Sequence, residues 1–253
     1  MLILLPPSET KRDGGDGAPL DVSGLAFAGL ATERRALVRA LRTLADDTDA
    51  SVAALKLGRT QLFEVERNRQ LTASGTMPVI DRYTGVLYDA LDAPSLSSEA
   101  RAFAHRHLVV HSALLGPVAA LDPVPAYRMS HDSRLPELSL KRHWGTSIQS
   151  QFAPLPGVLL DLRSEAYTAL GPLPVREGSA YLRVLSAGED GQKRALNHFN
   201  KKSKGEFTRA VLEAGVDFAS IDELLAWAPS AGLTLQRHKP AAAGKPEELA
   251  LIV

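Results

Sequence analysis

The sequence predicts a mixed α/β (α+β) fold built as one domain over residues 1–253. Three observations carry this. Short apolar runs stopped by proline or glycine recur at residues 2–5, 108–110 and 158–162, the pattern of buried strands. Between them lie segments with apolar residues at helical spacing. No internal repeat and no shift in composition marks a domain boundary.

Composition narrows the function classes. The chain has 29 basic and 29 acidic residues, so it is not a globally basic nucleic-acid binder, although a local patch could still serve. Apolar residues make up 45%, ordinary for a folded globular chain. There is no cysteine, which excludes disulfides, thiolate metal sites and thiol peroxide chemistry by this chain itself. Residues 1–5 are too short for a signal peptide's apolar region and lack a charged leader. No apolar run approaches the roughly 20 residues that span a bilayer. A cytoplasmic protein with no membrane partner is expected.

The first strand, 2–5, is stopped by Pro6-Pro7 and feeds the polar loop Ser8-Glu9-Thr10-Lys11-Arg12, then a glycine-rich stretch at 13–17. A strand opening into such a loop is a common site arrangement. No Gly-Lys-Ser/Thr follows at phosphate-loop spacing, and an exposed turn with solvated charges is the plain alternative. Thr32 is expected to cap a helix to about Ala45, striped by Leu37, Val38, Leu41 and Leu44. Arg35, Arg39 and Arg42 share another face, which reads as solvated. A second helix should begin at Asp49 and end at Gly58, and a third should cover 60–71 before Gly75 and Pro78 break the pattern. A short helix is predicted over 83–91. After a loop, Ser97 or Ser98 caps another helix to about His107. Two helices joined by a tight loop fit a helix-hairpin-helix gripping the DNA backbone, but core helices joined by a turn are commoner.

Residues 107–134 are expected to organise the rest. The strand at 108–110 passes through His111 and Ser112, turns at Gly116-Pro117, stops at Asp122-Pro123 and emerges as Pro125-Ala126-Tyr127-Arg128. Each residue before a proline is pushed toward extended backbone, so this is a stiff connection rather than a helix. It should hold Tyr127 and Arg128 where the other polar motifs converge. His105, His107 and His111 have no acidic ligand nearby and read as structural, so no metal and no cofactor are expected. A helix over 140–152 places Trp144 and Ile148 at i, i+4. The strand at 158–162 delivers Ser164-Glu165-Ala166-Tyr167 to its end, a favoured binding position in α/β sheets.

A strand over 181–187, a turn at 188–191 and a further strand to about Phe199 precede Asn200-Lys201-Lys202-Ser203-Lys204-Gly205, read as opening a helix. Between 193 and 209 six basic residues face one acid, Glu206. Lysines at a helix start oppose its dipole, and a bound phosphate or carboxylate would relieve the conflict. Solvated lysines on an exposed turn are the alternative. A capped helix over 220–228 and a hairpin of 233–235 with 249–253 close the chain.

The ordered set of these motifs resembles the YaaA peroxide-stress proteins. The likeness runs through the opening Leu-Leu-Pro-Pro-Ser-Glu-Thr-Lys-Arg-Asp-Gly-Gly, Ser112-Ala113-Leu114-Leu115-Gly116, Leu121-Asp122 and Tyr127-Arg128. It continues through Trp144-Gly145, Ser164-Glu165-Ala166-Tyr167 and Asn200 to Gly205. It covers nearly the whole chain. The chain departs from the family pattern at Glu9, Leu115, Ala119-Ala120 and Thr146. The resemblance implies a compact mixed fold with a basic cleft, DNA binding through a helix-hairpin-helix-like element, and a role in limiting oxidative damage from unincorporated iron.

Two main readings remain open at this point, beside a third in which the cleft is vestigial and the protein is a structural or regulatory partner. In the first, Lys201, Lys202, Lys204 and Arg128 neutralise DNA phosphates without reading sequence. In the second, Ser8, Thr10, Lys11, Tyr127, Arg128, Ser164, Glu165, Tyr167 and the lysine pair form one cleft around a small phosphorylated or carboxylated molecule. Lys202, Glu165 and Lys11 are then the candidates for acid, base or nucleophile.

Overall fold

A computed structural model describes residues 1–186, 193–238 and 244–253, with the side chains of 193–198 also outside the description. The first half runs β1 (Leu2–Leu5), α1 (Ala31–Ala45), α2 (Thr48–Leu55), α3 (Phe63–Arg69), β2 (Met77–Pro78), α4 (Val79–Arg82), α5 (Val86–Leu91) and α6 (Ser98–His107). Next come β3 (Leu108–Ser112), β4 (Gly116–Ala119), β5 (Pro123–Val124), α7 (Leu140–Phe152), β6 (Leu159–Asp161) and α8 (Glu165–Thr168). The last part runs β7 (Ser179–Leu185), α9 (Lys193–Ala214), α10 (Ile221–Trp227), β8 (Thr234–His238) and β9 (Glu247–Ile252).

Seven strands form one mixed sheet in the order β4-β3-β1-β6-β7-β9-β8, and β2 pairs separately with β5. The five inner strands are parallel, while β4 and β8 close the two edges antiparallel. The inner strands are apolar because helices cover them. Ile3, Leu4 and Leu5 are fully buried, as are Leu159 and Leu160. The chain leaves β1 to one side to make β3 and returns to the other side to make β6. Connections therefore diverge beyond the carboxyl ends of β1 and β6, where open α/β sheets receive ligands.

Several boundaries differ from the sequence expectation. Thr32 caps nothing: a 3-10 turn at Ala28–Leu30 leads straight into α1, whose N-cap is Leu30. Asp47, not Asp49, caps α2 by accepting from Ala50 N, and Lys56 in the left-handed region ends that helix before Gly58 is reached. The third helix is split by a 3-10 turn at Arg59–Gln61. It ends at Arg69, ahead of Gly75 and Pro78, and Pro78 is the N-cap of the short α4. Tyr83 lies outside α5, which begins after Gly85 at φ +94°. Ser97 caps α6 as expected. The chain reverses at 113–115, so Gly116 and Pro117 open edge strand β4, where proline's missing donor costs no ladder bond.

The largest correction concerns the strand expected to reach Phe199. Phe199 lies inside α9, a helix of 22 residues. Ser203, Lys204, Phe207, Thr208, Val211 and Leu212 form its buried stripe at helical spacing. Asn200, Lys201 and Lys202 sit mid-helix, so they have no conflict with a helix dipole. The turn expected at 188–191 falls outside the described residues.

Candidate anion-receiving cleft

The loops after β1 and β6 face α5, β7 and α9 across a cleft of about 980 Å³. One wall is the loop 6–10, contributing Ser8, Glu9 and Thr10. A second is 162–167, contributing Ser164, Glu165 and Tyr167, and α9 adds Asn200, Lys201 and Lys204. Seven of the residues singled out from the sequence thus reach one hollow: Ser8, Thr10, Ser164, Glu165, Tyr167, Lys201 and Lys204. Four do not line it. Lys202 points away and pairs with Glu206 at 3.3 Å. Its place one residue after Lys201 puts it about 100° round the helix, so the two lysines cannot share one face. Lys11, Tyr127 and Arg128 stand behind the wall.

The loop after β1 is held by backbone bonds. Lys11 bridges to Tyr83, Arg12 N donates to Arg82 O at 2.8 Å, and Thr84 N donates to Thr10 O at 3.3 Å. The Lys11 ammonium folds back to donate to Ser8 O at 3.0 Å and Glu9 O at 3.1 Å. It lies 4.3 Å from the Tyr127 ring centre and 5.2 Å from that of Tyr83. Burial pushes its pKa down to about 7. Lys11 therefore clamps its own loop instead of reaching the ligand space.

Tyr127 belongs to a buried hydroxyl chain. Ser112 Oγ accepts from Leu114 N at 3.1 Å and Leu115 N at 2.9 Å, which fixes the turn between β3 and β4. With both lone pairs engaged, its proton goes to Tyr127 Oη at 2.5 Å, and Tyr127 then donates to Tyr83 Oη at 2.6 Å. Trp144 Nε1 donates to Ala113 O on the same turn at 2.8 Å. The Ser112–Gly116 and Trp144 motifs are thus architectural: they hold Tyr127 under the cleft. Asp122 also holds backbone, accepting from Ala26 N and Ala119 N, and burial raises its pKa.

Arg128 is pinned by buried Asn68, which bonds both its N–H (2.8 Å) and its carbonyl (2.9 Å). Its Nη2 donates to Glu9 Oε2 at 2.6 Å. Glu9, on the loop after β1, is therefore the acidic partner of Arg128.

Lys204 is the strongest candidate in the cleft. It is 5% exposed, its Nζ lies 5.5 Å from the Tyr181 ring centre, and burial lowers its pKa to about 8. Asp161 and Glu165 act on it only at a distance, and among the described residues no acid forms an ion pair with it. The sequence reading missed Tyr181 and Arg183, which share one face of β7 by strand alternation. Arg183 pairs with both oxygens of Glu248, at 2.5 and 3.0 Å, and with Glu165 at 3.3 Å. A Tyr-x-Arg step in a strand following the Ser164 motif was the available signal.

The helix-hairpin-helix candidate consists of α5, a 3-10 turn at Ala93–Ser95 and α6. Arg209 of α9 braces the turn by donating to Leu91 O, Asp92 O and Ser95 Oγ. Among the described residues, no group of three or more His, Asp or Glu is placed to hold a metal, and no helix is long and apolar enough to cross a membrane.

Comparison with known proteins identifies the family of the chain. The family model described as peroxide stress protein YaaA matches residues 1–238. A UPF0246 protein of Corynebacterium glutamicum strain R is 38% identical over 243 residues, covering 94% of this chain and 96% of its own. A UPF0246 protein of Corynebacterium efficiens is 37% identical with complete coverage of both chains. One of Streptomyces coelicolor is 38% identical, covering all of this chain and 98% of its own. With its sheet, cleft and motifs in place, the chain belongs to the YaaA family of peroxide stress proteins.

Proposed function

We propose that the protein acts in peroxide defence by binding DNA without sequence preference, the cleft receiving backbone phosphate. The observation that carries this reading is Lys204, a largely buried lysine that lines the cleft and has no ion-paired acid among the described residues. A buried charge left unpaired is costly, and a phosphate oxygen supplies the missing partner. Lys201, exposed on the rim one helical turn away, takes a neighbouring phosphate. The braced hairpin offers the first-turn amides of α6 as a further backbone contact. Such binding expels the cations condensed on DNA. Iron not incorporated into proteins would be among them, so peroxide would meet less ferrous iron at the strand.

Two measurements test this together. Fluorescence anisotropy with labelled DNA at low salt should show binding that Lys204→Met with Lys201→Ala abolishes. Cells lacking the protein should lose survival in peroxide, and an iron chelator should restore it. No binding at low salt refutes the reading.

A second reading is favoured by the convergence of Ser8, Thr10, Ser164, Glu165 and Lys204 on a cleft of ligand size. Here the protein acts on a small phosphorylated or carboxylated molecule. Lys204, a fraction of which is neutral near pH 7, is the base or nucleophile and Glu165 its proton partner. Lys202 has no part in this version, because it faces Glu206. Tight binding of one small anion without DNA affinity would select it.

A further inference from the structure

We propose that Glu9 is a resident counter-ion that occupies the Arg128 anion site and is displaced when a phosphate or carboxylate enters the cleft. This rests on reading the cleft as an anion receptor and adds to it a second, gated subsite.

The two partners are unequal. Arg128 has a side chain 8% exposed, and Asn68 locks its backbone on both sides. Glu9 has a side chain 54% exposed and stands on the cleft wall, in a loop. Glu9 can swing into water at little cost, whereas Arg128 cannot move.

The bond between them is also incomplete. A guanidinium presents donors in a planar fork that matches two oxygens at once. Glu9 takes only Nη2, at 2.6 Å. Nε of Arg128 is buried and has no hydrogen-bond partner among the described residues. An unpaired buried donor costs about 1–3 kcal/mol. An oxyanion entering from the cleft and bridging Nε and Nη2 would remove that cost. The hydroxyls of Ser8 and Thr10, 3.1 Å apart on the same loop, stand ready to share such a ligand as Glu9 leaves.

A purely structural ion pair would behave differently. Losing it would lower stability and leave anion affinity alone. A placeholder, once neutralised, should strengthen anion binding, and the gain should need Arg128.

The test is a double-mutant cycle on the full chain: wild type, Glu9→Gln, Arg128→Lys and the double variant. Glu165→Gln serves as a control that removes a cleft carboxylate not bonded to Arg128. Inorganic pyrophosphate is followed by titration calorimetry and labelled DNA by anisotropy, with circular dichroism to verify folding. The expected result is about tenfold tighter pyrophosphate binding for Glu9→Gln, less than threefold for Glu165→Gln, and loss of the gain in the double variant. An unchanged or weaker Glu9→Gln overturns the proposal. So does a gain that persists in the double variant or is matched by Glu165→Gln. Should pyrophosphate follow the expected pattern while DNA fails to bind any variant, the subsite stands and the DNA reading falls.

Discussion

Gly205 is where α9 crosses α5 at closest approach, and replacing it with alanine tests both the packing and the cleft. A Cβ built there meets Leu87 O at 2.2 Å and Ala90 Cβ at 2.8 Å. Non-bonded carbon atoms settle at about 3.5–4.0 Å, so the two helices must part by roughly 1 Å. The obstacle includes backbone, which cannot rotate away as a side chain tip can. Two effects oppose each other. Alanine is favoured over glycine in a helix interior by about 1 kcal/mol. Overpacking of a tight contact costs about 1–3 kcal/mol, and here a carbonyl oxygen lies well inside van der Waals contact with the new atom. With backbone as the obstacle the clash lies toward the upper end of that range and should win, leaving Gly205→Ala up to about 2 kcal/mol less stable. Lys204 is the preceding residue and Leu87 lines the cleft, so anion binding should weaken as well. Gly145 of α7 is the matched control, because a Cβ there meets nothing within 4 Å. Gly145→Ala should be neutral or up to about 1 kcal/mol more stable. Urea denaturation of the three proteins decides it. A Gly205→Ala protein as stable as the wild type would show that α5 and α9 do not pack this closely.

Other expectations follow from the buried polar groups. Ser112→Ala removes the acceptor of two turn amides and the donor to Tyr127, and should cost about 2–4 kcal/mol in urea denaturation, with Ser112→Thr as the test of hydroxyl rescue. Lys11 has a folded pKa of about 7 against an ordinary 10.5. Between those pH values the unfolded chain holds the extra proton, so stability rises with pH across pH 7 to 10.5 by at most about 5 kcal/mol. Lys11→Met lacks this slope, so its difference from wild type should change across that window; parallel stability curves would contradict the buried amine. Lys204, with a pKa lowered to about 8, is charged below that value. Anion affinity should hold below pH 8 and fall above it, and Lys204→Met should flatten the profile.

The parallel core was legible because β1, β3 and β6 carry apolar runs between proline and glycine stops. The path through α9 was not: Asn200 and Gly205 read as punctuation, yet Gly205 is there to let α5 approach. The 162–167 wall could be read from a polar motif at a strand end. Arg183 was marked only by the Tyr-x-Arg step of its strand, since its acidic partner Glu248 is 65 residues away. Buried arginines hide for a similar reason. Arg34 donates to the carbonyls of Ala26, Leu115 and Pro117, and Arg82 to those of Arg12, Gly75 and Val124. Carbonyls leave no mark in a sequence, so nothing in it distinguishes these two arginines from surface charge. Tyr127 looked functional, and Ser112 and Trp144 stood in motifs near it. They hold the frame on which the cleft stands.

The most direct measurement is the salt dependence of DNA affinity, taken as the slope of log K against log salt for wild type and for Lys201→Ala with Lys204→Met. Each phosphate neutralised contributes about 0.7–0.9 to that slope. The account predicts a shallower slope in the double variant, by about 1.4–1.8, with lower affinity at every salt concentration. An unchanged slope, or a wild type without measurable affinity at low salt, would contradict it.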